Sequence, residues 1–528
     1  MMHYINKPLY SENETAISES SLSLISKFLS ANMGLYFPKE RWPDLSRGIV
    51  SACQEFDHKD PESFIQWLLS SSLTKSRIES LAIHLTIGET YFFRDKNVFN
   101  ALETHILPKL MQARQKTGKC LRLWSAACST GEEPYSLAIL LSKMIPDLSD
   151  WNITICATDI NPQFLKKALG GIYTKWSFRG TSERFKDTYF TKTKNGHYRL
   201  DPLIKKMVKF SYLNLMDNCY PSITNNTNAM DLIFCRNVLM YFPPEYVKKV
   251  ISRIYRSNSK GGWFVVSPGE MPNQFHSKFN TVYCDGAIFY QKGSSQTSFK
   301  QDFKENPVFP IPENQPKNQL DYQNYFQQEL LFLEKTDITD EIMPQPLKIS
   351  PESPKSTEPD KSSSKQALQL FERGEYTKAA ELLRELLSND QFNADAMTLL
   401  ARTYANKGDL AKAAQWCEKA IVTDKLNPSF HYLLSTIMAE MGRMEEAASA
   451  LKNVLYLDYN FVLAYFSLGN INCRLGKLKE SKKNFDNAIS ILSGMQTDDI
   501  VPESDGITAG RLMEIIKLTS GQEAANEQ

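Results

Sequence analysis

No apolar run in this 528-residue chain approaches the roughly 18 residues of a membrane span. Its opening residues, MMHYINKPLYSENET, contain no apolar signal core. A cytoplasmic protein is the expectation. Charge of one sign is not in excess either: 61 basic residues stand against 60 acidic ones. That balance removes the electrostatic case for a nucleic-acid or membrane-surface protein. The nine cysteines include no Cys-x-x-Cys pair, so neither a zinc site nor a disulfide framework is signalled, and buried reduced thiols are expected. At this length, two to four domains are expected.

What is present is best read from Leu121 to Leu140, LRLWSAACSTGEEPYSLAIL. An apolar run through Leu121, Leu123, Trp124, Ala126 and Ala127 has the length of a buried strand. Small residues 128 to 131 follow, then Glu132 and Glu133, and then Pro134 in the first turn of a helix, where its missing amide costs nothing. Strand, small loop and helix start make the ligand cradle of an open α/β sheet, because ligands collect beyond the carboxyl ends of parallel strands. A phosphate site wants bare amides and a basic residue. Two carboxylates suit a cationic or hydroxyl-rich ligand instead, such as an adenosyl sulfonium compound with an α-amino group.

Around this stretch the chain divides by pattern. Residues 1 to 15 are polar and expected to fray, and helical spacing runs from Ile17 to about Leu85, predicting a small helical domain over 16–90. Strands and helices alternate over 91–292, which favours a mainly parallel, doubly wound sheet. Its expected strands are Leu121 to Ala126, Ile153 to Thr158, Val208 to Leu213, Asp231 to Cys235, Trp263 to Ser267 and a closing pair near 281–284 and 287–290, joined by Asp285-Gly286, a hairpin signal. Its expected helices are Tyr135 to Met144, Pro162 to Leu169 and Pro244 to Arg256. Asn195-Gly196, between Thr188 to Thr193 and His197 to Leu200, predicts a second hairpin in a β insertion at about 186–207. Residues 293–361 turn to Pro, Gln, Ser, Lys and Glu, the composition of a disordered linker.

Beyond it, Gly374, Gly408, Gly442 and Gly476 stand 34 residues apart, the period of tetratricopeptide repeats. Small residues recur in phase: Ala379, Ala413, Ala447 and Ser481 after each glycine, Ala367, Ala401, Ser435 and Gly469 before it. The region 362–495 is similar to a four-unit tetratricopeptide array, with a capping helix near Gly510 to Thr519 within 496–528.

Further polar residues fall at strand ends. Asp159 closes the second strand, where an acid takes ribose hydroxyls, although before Asn161-Pro162 it also has the position of a helix cap. Arg236 and Asn237 end the strand of DLIFCRNVLMYF; an arginine there is otherwise structural, paired with a nearby acid. GETYFFRD, LWSAACSTGEEPYS, ATDIN, WSFRG, LNL and FCRNVLMYF occur in the order and character of the CheR family of chemotaxis protein-glutamate O-methyltransferases, and the chain resembles that family from about Ile17 to Lys292.

The resemblance implies a fold: a class I, Rossmann-like α/β methyltransferase with a helical N-terminal domain and a β insertion, here followed by the all-α array. It implies S-adenosylmethionine as donor, S-adenosylhomocysteine as product, no metal, and chemoreceptor glutamates as acceptors, with recruitment to membrane receptor arrays. By position, Thr90 and Arg94 reach the donor from the segment joining the domains. Glu132 or Glu133 and Asp159 hold its polar groups, Asn214 and Leu215 flank the adenine, Arg236 and Asn237 close the site, and Tyr241 stands near the methyl. Arg94, Arg179 and Arg236 are candidates to orient the incoming carboxylate. Gly88 departs from the asparagine of enteric members, a loss expected to weaken donor binding by ~1 kcal/mol, the scale of one hydrogen bond. The array is expected to bind a protein partner or restrain catalysis. The alternative is a scaffold or sensor that keeps donor binding with little turnover.

Overall fold

The computed structural model describes residues 17–71, 74–115, 118–272, 278–284, 286–293, 361–504 and 507–524. The polar N-terminus, Asp285 and the Pro- and Ser-rich linker lie outside the described residues, apart from the linker's first and last positions. None of the described helices is long and apolar enough to cross a membrane.

Four helices, Glu19–Met33, Trp42–Glu55, Pro61–Ser70 and Lys75–Leu85, form the N-terminal bundle. Three start on side-chain caps: Ser18, Asp60 and Thr74 accept hydrogen bonds from the amides of Ser21, Ser63 and Arg77, satisfying donors that a helix start leaves orphaned. Leu22, Ile25, Leu29, Leu45, Ile49, Phe64 and Leu81 form its core. Ile160, from the sheet domain, packs against that core and ties the two together.

Among the described residues ten strands follow: β1 Cys120–Ala126, β2 Asn152–Asp159, β3 Ile172–Tyr173, β4 Phe190–Lys192, β5 Tyr198–Leu200, β6 Val208–Tyr212, β7 Met230–Phe234, β8 Asn258–Val265, β9 Phe279–Cys284 and β10 Ala287–Lys292. Seven of them make one sheet in the order β6-β2-β1-β7-β8-β10-β9. The pairings β6–β2, β2–β1, β1–β7 and β7–β8 are parallel, and β10 runs antiparallel to both β8 and β9. This is the doubly wound sheet with a reversed edge that the alternation of elements predicts. The chain reverses direction of strand placement at β1 and β7, so the crevice beyond their carboxyl ends is the switch point where ligands bind.

The insertion differs in detail from its expectation. Its sheet is three-stranded, β3-β5-β4, all antiparallel. Thr188 and Tyr189, expected as strand, close a helix over Glu183–Tyr189 that Ser182 caps at its start. Phe190 ends that helix and begins β4, because its ring packs into an aromatic cluster with Phe92, Phe178 and Phe185. The third strand comes from Ile172 and Tyr173, too short a segment for period-two alternation to reveal.

Eight helices of the array pair in sequence from Lys361–Glu372 to Leu478–Leu492, and a last helix runs over Ala509–Ala524. Gly374, Gly408, Gly442 and Gly476 have φ between 73° and 83°, the left-handed turn that joins the two helices of each unit. Ala379, Ala413, Ala447 and Ser481 are fully buried where those helices meet.

Candidate functional site

Each wall of the main cleft is built by a different piece of sequence. The cleft encloses about 1020 Å³, its open mouth included, between the carboxyl ends of the parallel strands and the N-terminal bundle. Its floor is the segment after β1. Ala127 and Ser129 adopt positive φ, 57° and 50°, costly for residues with a side chain. Asp159 holds that conformation: its Oδ2 accepts from the Ser129 amide at 2.8 Å, and its Oδ1 from the Asn161 amide at 2.9 Å. Gly131, at φ 94°, starts the helix Glu132–Met144 where a Cβ would fall 2.8 Å from the Ala168 methyl. Only glycine fits there.

The two adjacent acids at this helix start have opposite fates. Glu133 faces the cleft, accepts from Ser125 Oγ at 2.8 Å and lies 3.5 Å from Arg236. Glu132 points away and does not line the cleft; it accepts from Thr130 Oγ1 at 2.6 Å and Ser177 Oγ at 2.8 Å, anchoring the helix start to the segment after β3. Burial raises the pKa of Glu133, with Arg236 opposing. Burial raises Asp159 to about 6, against the backbone amides that favour its charge. Cys128, in the same loop, is buried and its thiol is held well above its ordinary range by burial, which makes it a packing group.

Most of the remaining candidates converge on this cleft. Thr90, Arg94, Leu215, Arg236, Asn237 and Tyr241 line it. Arg236 donates to the Arg94 carbonyl at 2.9 Å and pairs with Asp95 at 3.3 Å, so the expected structural pairing and the position at the site coexist. Asn237 has φ 58°, and Glu270 accepts the amides of Asn237, Val238 and Met240, shaping the turn that presents Tyr241. Asn214 also lines the cleft, yet its amide group is engaged elsewhere: Nδ2 donates to the Asn32 carbonyl at 2.8 Å and to Asp217, and Oδ1 accepts from the Met216 amide. Arg179 is not brought in. It pairs with Glu89 and lies over the rings of Tyr91 and Trp176 at 4.0 and 4.5 Å, outside the lining.

Several lining residues have no counterpart among the sequence-derived candidates. Met33, Leu35, Tyr36, Phe37 and Arg41 come from the N-terminal bundle. The Tyr36 amide donates to the Tyr241 carbonyl at 2.8 Å, and Arg41 lies 5.4 Å from the Tyr241 ring, so the bundle forms a wall of the site. Ser129 Oγ and Arg236 Nε, buried atoms of lining residues, have no hydrogen-bond partner among the described residues. Buried groups of this kind are normally satisfied, which points to a polar ligand. Phe164 fills the space next to Gly88: a Cβ there would lie 2.8 Å from its ring.

Against known proteins, residues 88–288 match the family described as CheR methyltransferase, SAM binding domain, and residues 364–429 match a tetratricopeptide repeat. A chemotaxis protein methyltransferase 1 from Pseudomonas aeruginosa is 34% identical over 212 residues, 39% of this chain and 74% of that protein. A chemotaxis protein methyltransferase from Vibrio parahaemolyticus is 30% identical over 275 residues, 48% of this chain and 96% of that one. The chain belongs to the CheR family of chemotaxis protein methyltransferases. A third relative, a chemotaxis protein methyltransferase 2 from Vibrio cholerae, is 26% identical over 51% of this chain and 91% of its own length.

As a CheR protein the chain is an S-adenosylmethionine-dependent methyltransferase acting in chemotaxis. The residues present fit that donor. Acids inside the cleft, Glu133 and Asp159, suit an amine and ribose hydroxyls, while apolar Met33, Leu35, Ile160 and Phe164 offer a face to a purine. The match to the CheR methyltransferase domain ends at residue 288, before the repeat match begins at residue 364.

Proposed function

We propose that this CheR protein transfers a methyl group from S-adenosylmethionine to glutamate side chains of chemoreceptor cytoplasmic domains, forming glutamyl methyl esters for adaptation. The observation that carries the reading is the distribution of charge in one cleft. Glu133 and Asp159 line the same cleft as Arg41, Arg94, Arg236 and Tyr241, with Arg236 3.5 Å from Glu133. The donor supplies an electrophilic methyl on a sulfonium. The protein's residues then have two tasks. Asp159, Glu133, Ser129 and the backbone at Asn214 and Leu215 hold the donor. Arg94 and Tyr241 orient an incoming carboxylate, which is already ionised at neutral pH and needs no general base. Opposite charges meet in such a displacement, so excluding water strengthens the approach; the apolar wall from Met33 to Phe37 serves that end. Arg236, tied to Asp95 and Glu133, is assigned to shaping the site, and Arg179 to the rim, where it meets a protein substrate before the cleft does.

The array's role in this reading is to engage a protein partner and set which receptors are reached, with the protein acting at membrane receptor arrays. The test is transfer of labelled methyl from S-adenosylmethionine to membranes carrying chemoreceptors, read as base-labile ester. Label in receptor glutamates supports the reading. Donor binding by calorimetry without ester formation would replace it with a sensor or scaffold, and labelled small carboxylic acids would redirect the substrate.

A further inference from the structure

The long linker leaves the placement of the array unpredictable from sequence, and in the structure the array sits on the sheet. Its docking edge is the row of left-handed turns that the 34-residue period produces. Any side chain at Gly374 would overlap Arg256; a Cβ on Gly408 would fall 3.3 Å from the Ala229 methyl, and one on Gly442 3.5 Å from Asn152 Nδ2. At the centre of this edge Glu440 pairs with Arg122 at 3.2 Å, both nearly inaccessible to solvent. Asn152 Nδ2 donates to the Glu440 carbonyl at 2.8 Å, and Asn228 Nδ2 to the Ala405 carbonyl at 3.2 Å. Ile223 packs into the array's own apolar core. On the catalytic side Arg122 also donates to the Asn226 side chain and Asn228 carbonyl, and its amide donates to Asp231.

The residues that meet the array mark particular strands. Arg122 is at the start of β1, which runs into the Ala127–Gly131 floor; Asn152 opens β2, which ends at Asp159; Asn228 and Ala229 precede β7, which ends beside Arg236 and Asn237. Lys209, near the start of β6, lies within electrostatic range of Glu440, and β6 leads to Leu213 and Asn214. The array therefore holds the amino ends of the same four strands whose carboxyl ends form the cleft.

We infer that the tetratricopeptide array is a base plate for the donor site, with Glu440 a positioning residue that acts through Arg122 on β1. A buried ion pair stabilises only when both members are present, because each alone is an uncompensated charge. Docking thereby fixes the height of the β1 and β2 ends relative to β7. By linkage, a partner that distinguishes docked from undocked array changes donor affinity, and donor changes affinity for that partner by the same factor. The inference rests on the donor reading of the cleft.

The test uses the full chain and S-adenosylhomocysteine, with affinity from calorimetry and amide hydrogen exchange over residues 125–131. Glu440→Ala is expected to weaken product binding at least fivefold and to speed exchange in that loop. Glu440→Gln, which keeps the shape and an acceptor for Asn228, is expected to fall between Glu440→Ala and the native protein. Tyr456→Ser, on the far edge where the ring is 90% exposed, leaves both readouts unchanged. A folded Glu440→Ala protein with native affinity and native loop exchange overturns the inference. If that variant does not fold, Glu440→Gln and Asn152→Ala decide in the same way. Native protein that fails to bind S-adenosylhomocysteine refutes the donor reading instead, while loop exchange still reports the coupling.

Discussion

Replacing Gly88 with asparagine, the residue of enteric CheR members, offers a sharp test of how this cleft is packed. Counting only the missing hydrogen bond, the substitution would tighten donor binding by ~1 kcal/mol. The structure reverses that sign. Phe164 is 3% exposed, lines the cleft and occupies the volume a side chain at position 88 would need, with the new Cβ 2.8 Å from its ring. The open space beside the ring is the cleft itself, so Phe164 yields toward the ligand. Overpacking of this kind costs about 1–3 kcal/mol, which is roughly fivefold to a hundredfold in affinity. Gly88→Asn is therefore expected to weaken S-adenosylhomocysteine binding by that range in calorimetry. Adding Phe164→Val removes the collision and should recover most of the loss. A Gly88→Asn protein that binds product as tightly as the native one, or more tightly, refutes the pairing of these two positions; so does a double variant no better than the single.

Other outcomes follow from the same cleft. Donor binding that uses ionised Asp159 weakens as pH falls through about 6, by about tenfold one unit below that value; an affinity flat from pH 5 to 8 would exclude Asp159 from the contact. In the free protein the linkage runs the other way, since the carboxyl is raised from 3.8 to about 6. Its contribution is fully present below pH 4 and about 3 kcal/mol is lost as pH rises through 6, measurable as a stability difference that Asp159→Asn abolishes. Glu133→Gln should lower donor affinity with little change in melting, whereas Glu132→Gln, which disturbs the bonds from Thr130 and Ser177, should lower melting temperature more than affinity. Gly131→Ala, with the Ala168 methyl 2.8 Å from the new carbon and φ at 94°, should cost at least ~2 kcal/mol in denaturant unfolding of the catalytic domain.

Legibility of the sequence tracked the range over which each signal acts. β1, β2 and β7 were readable because strands buried on both faces are predominantly apolar, as in Leu121, Leu123 and Trp124, Ile153 and Ile155, and Leu232 to Phe234. The array was readable because one turn geometry demands glycine at a fixed period. Asp159, Arg236 and Tyr241 were readable from motif order and line one cleft, and the pair Glu132 and Glu133 was readable without the choice between its members. Contacts between distant segments were not. Nothing local in Leu35 or Arg41 announces a wall for a site 100 residues away. Glu132 and Glu133 differ by about 100° around a helix, and only the positions of Ser177 and Arg236 decide which faces inward. Arg179 shares a motif with its neighbours but is captured by Glu89 and two aromatic rings. Asn214 reads as a ligand contact, while its side chain is fastened to the carbonyl of Asn32.

The even spacing of the turn glycines carries a restriction on how this chain can change. Gly374, Gly408 and Gly442 each meet a different part of the catalytic domain, Arg256, Ala229 and Asn152. A duplication or deletion of one 34-residue unit among them would keep every helix pair intact and still bring the wrong turn to each place, separating Glu440 from Arg122. At Gly476 an added Cβ would meet nothing among the described residues within 4 Å, yet the chain beyond it is engaged as well: Arg511 of the last helix lies within electrostatic range of Lys75 and Glu79 in the N-terminal bundle. Array length is thus held from both ends, so that recombination which changed the number of units would displace either the turns that meet the sheet or the last helix beside the bundle.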